Sequence, residues 1–171
     1  ASAAPGLTYI VNSAADSSDA NPGDGFCETS TPSECTLRAA LEETNANANP
    51  TDTDTINFAI PGAGIHTFTP TTNFPNITEP LSIDGTTQGT INCAAHQLAI
   101  EVDGQSTNVA QLNFDSMATG SSVKGLSIVN SSGLAMLIDA NSFTAQCNNI
   151  GVRADGATQG ANAFTGIRVN G

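Results

Sequence analysis

Residues 16–27 read DSSDANPGDGFC, which brings Asp16, Asp19, Asn21 and Asp24 close together along the chain beside Gly23 and Gly25. Hard cations such as calcium take several oxygen ligands from a loop that wraps around them, and these side chains with nearby carbonyls form such a donor set. The glycines permit the tight curvature a wrapping loop needs. Three carboxylates held close also repel one another unless something neutralises them, which is the physical case for a cation. The spacing is not that of an EF-hand: counting from Asp19, the sixth position is Asp24 rather than glycine, and no glutamate stands at the twelfth. Asp, Asn, Pro and Gly are also what surface turns are made of. Two readings therefore stand side by side, a structural calcium loop and a solvated turn. Neither is catalytic.

The cysteines frame this run. Cys27 and Cys35 stand eight positions apart, and a disulfide between them would pin the acidic loop to the start of the next element; the alternative is two buried free thiols. Cys93 and Cys147 then form the remaining pair. An even number of cysteines suits an oxidising compartment. No Cys-x-x-Cys spacing occurs, and His66 and His96 are isolated in sequence, so zinc is not expected.

The elements that must position these residues are short. CTLRAALEETNA places Leu37, Ala40, Leu41 and Thr44 at helical spacing with Thr36 as N-cap, and NANANP stops the helix. Glu42 and Glu43 sit towards the wrong end for the helix dipole, so packing must hold this helix. Arg38 lies beside its apolar face, where it is expected to act structurally by tying the helix to the first coil, with Asp54 as a candidate partner. LTYIVN, TINFAI and IHTFT read as strands.

From residue 80 apolar pairs recur with one residue between them: LSIDG, IEVDG, LNFD, LSIVN, AMLIDA, NIGVRADG and GIRVNG. Both members of such a pair point to one face of a strand. Strands this short cannot bury a sheet face alone, but they can if each stacks on its equivalent in the next turn of a solenoid. Ile128 and Ile150 are 22 positions apart, and Leu134 and Ile167 are 33 apart across the insertion ADGATQGANAFTG. About two dozen residues per coil fits an all-β parallel β-helix; an antiparallel sandwich is the competing architecture. The inward set is then Leu126, Ile128, Ile150, Val152, Ile167 and Val169. Asn130, Asn148, Asn149 and Asn170 fall at strand ends, where stacked asparagines can form ladders.

The 171 residues suit one domain. It divides into an N-terminal cap region (1–79), with the acidic loop, the helix and the first strands, and a region of β-helix coils (80–171) that reads as open at its C-terminal end. The formal net charge is −12, and only Arg38, Lys124, Arg153 and Arg168 are basic. Such a chain has no patch to neutralise phosphates, which argues against nucleic acid and anionic membrane surfaces. No apolar run approaches the roughly 18 residues of a transmembrane helix. The opening ASAAPG resembles the residues left after signal-peptide cleavage. The expected location is extracellular or on the cell surface.

Cys35-Thr36-Leu37-Arg38-Ala39-Ala40 resembles the Cys-Ser-Leu-Arg-Glu-Ala motif near the N-terminus of many secreted bacterial β-helix proteins, with Thr for Ser and no Glu. GDGFC, TINFAIPGAGIHTF and LSIDGTTQGT are similar to that family's N-terminal region, and QCNNIGVRADGATQGANAFTGIRVNG to its repeats. The resemblance implies a right-handed parallel β-helix with a short N-terminal capping helix, outside the cell. It implies no reaction, since fold does not fix function.

Three functions follow as expectations. The first is a non-enzymatic structural module (a stalk, adhesin or self-assembling filament subunit), because GIRVNG resembles a repeat strand with nothing polar after it. It implies self-association or continuation into a longer chain. The second is a lyase or hydrolase of acidic polysaccharide, with Lys124, Arg153 or Arg168 as base and Asp139 and Asp155 as metal ligands; so acidic a chain makes a poor cradle for a polyanion. The third is a carbohydrate-binding module, although there is no Trp and the one Tyr, Tyr9, is expected to face the core.

Overall fold

The computed structural model describes residues 6–47, 52–105 and 112–170. The first five residues of the ASAAPG opening, the end of the helix-stopping run at 48–50 and Gly171 of GIRVNG lie outside the described residues. In chain order the elements are β1 (Thr8–Val11), α1 (Leu37–Ala46), β2 (Asp54–Phe58), β3 (His66–Phe68), β4 (Leu81–Asp84), β5 (Ile100–Asp103), β6 (Leu112–Phe114), β7 (Ser122–Lys124), β8 (Leu126–Val129), β9 (Met136–Ile138), β10 (Thr144–Gln146), β11 (Asn149–Ile150) and β12 (Ile167–Val169).

The fold is β-rich with one α-helix among the described residues, and every ladder between these strands is parallel. That pairing excludes the antiparallel sandwich. Three sheets form, with strand orders β1-β2-β4-β7-β10, β11-β8-β5-β3 and β12-β9-β6. From β4 onwards the chain visits the three sheets in rotation, returning to each after two intervening strands. The sheets run without interruption across residues 79 and 80: β2 pairs with β4, and β3 with β5.

Alternation along each strand makes the core. Tyr9, Ile56, Ile83 and Val123 occupy one inward column of the five-stranded sheet. Val102 on Ile128 and Phe114 on Ile138 continue the core in the other two sheets. Ile128 pairs directly with Ile150, as the 22-residue spacing requires. Leu134 does not pair with Ile167; its place is taken by Met136.

The inward set needs correction at its far end. Leu126 and Ile128 are fully buried, and Ile150 is half-buried against the core. Val152 lies beyond β11 in an isolated bridge to Gln159. Ile167 and Val169 are 37% and 66% exposed, because β12 is the edge strand of its sheet and nothing described covers its outer side.

Helix α1 begins where its cap dictates. The Thr36 hydroxyl accepts the Ala39 N–H at 3.0 Å. Leu37, Ala40, Leu41 and Thr44 are buried, and the helix packs against β1, the first strand of the five-stranded sheet.

Candidate functional site

The acidic run and the helix form one hydrogen-bonded unit. Gly23 and Gly25 adopt φ of +97° and +90°, a conformation that favours glycine. Their N–H groups converge on the two oxygens of Glu43, at 2.5 and 2.6 Å. Two loop N–H groups aimed at one point make a place for an anion, here filled by a carboxylate of the same chain. Glu42 accepts the Ser18 hydroxyl and the Asp19 N–H. The two glutamates that oppose the helix dipole are thus the receptors onto which the loop folds. The signal available in the sequence was two glutamates at the unfavourable end of a short helix, with Glu43 three residues after the core-facing Ala40.

Of the four residues expected to hold calcium, the three aspartates each accept protein donors, and Asn21 enters through its backbone N–H. Asp16 faces Arg38. Asp19 accepts the N–H groups of Asn21 and Glu28 at 2.8 and 3.1 Å, and Asp24 accepts that of Phe26 at 2.9 Å. These are turn-forming bonds of the kind short acidic side chains make with nearby backbone. Among the described residues no group of three or more His, Cys, Asp or Glu side chains is placed to hold a metal ion. Cys27 is bonded to Cys35, which fixes the loop's end to the start of α1, and Cys93 is bonded to Cys147.

Arg38 does tie the helix to its surroundings, but its ionic partner is Asp16, not Asp54. Nε and Nη2 reach the two Asp16 oxygens at 2.9 and 3.2 Å. Nη1 and Nη2 also donate to the carbonyls of Asn73 and Thr72, and the guanidinium lies 5.2 Å from the Phe74 ring centroid. The planar fork satisfies a carboxylate and two carbonyls at once. Asp54 instead accepts the Leu7 N–H at 2.7 Å. Tyr9 is buried as expected. That burial, with the charges of Asp54 and Glu43, holds its hydroxyl neutral far above the usual phenol range.

The side chains singled out for a polyuronate enzyme make the following contacts. Lys124 lies 3.6 Å from Asp84 on the adjacent strand. Arg153 bridges Glu101 at 2.6 Å and Asp103 at 3.0 Å, two acids that point outward from β5 and are covered by the segment after β11. Burial pushes the Asp103 carboxyl up, but the Asn130 amide, the Gln105 N–H and Arg153 outweigh it and hold it below the usual carboxylate range. Arg168 donates to Asn170, which donates in turn to Asp139. Asp155 is held to about 2 by the Thr158 hydroxyl and the N–H groups of Thr158 and Ala157. Glu101 and Asp103 escaped notice in the sequence, because IEVDG reads as an apolar pair followed by a turn.

The asparagines tie neighbouring strands, but not by stacking on one another. Asn130 donates to Asp103, and Asn148 bonds both Leu126 N–H and Val123 carbonyl. Asn149 donates to the carbonyls of His96 and Arg153. Asn130 and Asn148 sit just outside the strands, where the ladder is broken and free backbone groups need satisfying, while Asn149 reaches out from β11 itself. No helix is long and apolar enough to cross a membrane among the described residues. No family model matches this chain, and neither does any curated protein or solved structure.

Proposed function

We propose that this chain is a non-enzymatic, extracellular structural module built as a right-handed parallel β-helix, with the rotating strands as successive coils and α1 as the cap of one end. The observation that carries this reading is the fate of the cations. Arg38, Lys124 and Arg153 each pair with a carboxylate from a different part of the chain, so charge serves to bind coils together and to close loops. A general base or a uronate clamp must instead present its group to a ligand. The two disulfides suit an oxidising compartment, which supports the extracellular placement.

The end away from the helix supports a role in association. β10, β11 and β12 are the edge strands on that side of all three sheets, and a cavity of about 530 Å³ there is lined by Ile138, Phe143, Ala145, Ile167 and Val169. Unpaired parallel edges with apolar side chains are a template for further β-structure. Continuation into further β-structure, or a second copy seated there, would cover those side chains.

Incubation with polygalacturonate and other acidic glycans tests the non-enzymatic part. No unsaturated or reducing ends above a blank are expected. Sustained turnover that is lost in a variant of the exposed Arg168, Arg168→Gln, with an unchanged melting temperature would overturn it.

A further inference from the structure

Residues 90–97, between β4 and β5, form a flap that belongs to none of the three sheets. Asn92 and Gln97 pair as an isolated antiparallel bridge, the Asn92 side chain accepts the Ala95 N–H at 3.1 Å, and His96 turns the chain at a φ of +56°. The backbone bonds of Ala95, His96 and Gln97 also close within the flap, onto the Asn92 and Cys93 carbonyls. Among the described residues two bonds tie it to the coils. One is the disulfide from Cys93 to Cys147, which stands at the corner between β10 and β11. The other is a single hydrogen bond, from the Asn149 amide to the His96 carbonyl at 2.7 Å. Residues 92–97 are all exposed, and the underside of the flap rests on Gly156, where a Cβ would sit 2.5 Å from the Ala95 oxygen. On its other side the flap walls a cavity of about 630 Å³ that it shares with the turn at 62–65.

The two disulfides differ in their surroundings. Cys35 is buried in the core and Cys27 packs against it, whereas Cys93 is exposed and Cys147 is half-buried. A disulfide exchanges only when a thiolate reaches one of its sulfurs, so access decides which of the two reacts. We infer that Cys93–Cys147 is a site of thiol–disulfide exchange and the latch of the flap, opened by a small dithiol. One thiolate of the dithiol attacks Cys93 Sγ, which forms a mixed disulfide there and expels Cys147 as a thiolate that takes up a proton. The second sulfur of the reagent then displaces Cys93, leaving two protein thiols and the reagent as a cyclic disulfide; the protein has gained the two electrons the dithiol lost. A segment with few buried contacts opens locally, and no ladder of the three sheets runs through this one. The coils therefore outlast the release of the flap, which widens the cavity it walls. Nothing in this exchange depends on whether the module self-associates.

The test exposes the native chain to dithiothreitol without denaturant, traps thiols with iodoacetamide at intervals and scores each cysteine by peptide mass spectrometry. Cys93 and Cys147 are expected to be trapped together, at least about tenfold faster than Cys27 and Cys35. The singly reduced, alkylated chain is then given a brief proteinase K digest. Its first cuts are expected within residues 89–98, where the oxidised chain resists, while its far-ultraviolet circular dichroism stays that of the oxidised chain. A Cys93→Ser/Cys147→Ser variant is expected to be cut at the same place with no reductant; if it fails to fold, the alkylated wild type carries the comparison. Equal trapping of all four cysteines, earlier trapping of Cys27 and Cys35, loss of the β-sheet signal on reduction, or first cuts outside the flap would each overturn the inference.

Discussion

Arg38 and Asp16 meet at two points, Nε on Oδ1 at 2.9 Å and Nη2 on Oδ2 at 3.2 Å, with side chains only 8% and 14% exposed. One acid of the run that looked like a cation site is thereby matched to the helix's own cation. Asp16 also accepts both the N–H and the hydroxyl of Thr71, so the pair joins the acidic loop, α1 and the segment before β4. Removing one member leaves the other charged and poorly solvated. Arg38→Met is predicted to cost about 3 kcal/mol in urea denaturation, and Arg38→Lys more than half of that, since an ammonium cannot reproduce the fork. A loss below about 0.5 kcal/mol would mean that the pair is ornamental.

Glu43 anchors the same loop from the helix side. Glu43→Gln keeps the shape but turns an amide N–H₂ towards the Gly23 or Gly25 N–H, and a loss of about 2 kcal/mol is predicted. Because the loop's carboxylates already accept protein donors, millimolar calcium is predicted to leave the melting temperature unchanged. A clear rise in calcium, reversed by a chelator, would return a metal to Asp16, Asp19, Asn21 and Asp24.

The two disulfides close loops of different length, with separations of 8 and 54 positions. In the chain-entropy account this ranks them: Cys27→Ser/Cys35→Ser is predicted to cost about 2.5 kcal/mol and Cys93→Ser/Cys147→Ser about 4 kcal/mol. Equilibrium unfolding of the two variants checks the order. The reverse order would show that local anchoring of the acidic loop outweighs loop entropy.

Much of this was legible before the structure. The helix, its Thr36 cap and ten of the strands follow from spacing, because an apolar pair flanking one residue marks an inward face. Strands β7 and β10 were not legible: SVK and TAQ each carry one small or β-branched inward residue, Val123 or Ala145, and so show no pair. The hydrogen bonding of the acidic run was not legible for a related reason. Sequence displays side-chain charge, whereas this loop is organised by the backbone N–H groups of Gly23 and Gly25, which every residue except proline carries. Partners distant in sequence, such as Arg153 with Glu101, leave no local pattern at all.

Acid should loosen the fold through carboxylates held in their charged form. Thr29 and Ser13 hydroxyls lower Glu34 from its ordinary 4.5, Thr158 lowers Asp155 from 3.8 to about 2, and Asp103 is lowered despite its burial. A group whose pKa is depressed by folding stabilises the fold above its unfolded value and stops doing so as pH falls through the folded value. Stability is therefore predicted to be flat from neutrality to about pH 5 and to decline between about pH 4 and 2. Thermal melts across this range check it; a decline already complete at pH 5 would point to other groups.

Sedimentation velocity over a wide concentration range most directly tests the module as an associating structural element. The expected result is a monomer that gives way to larger species as concentration rises, and a Val169→Lys variant that stays monomeric at every concentration while melting like the wild type. Wild-type chain that sediments as a single monomer throughout, or a variant that associates equally well, would contradict it.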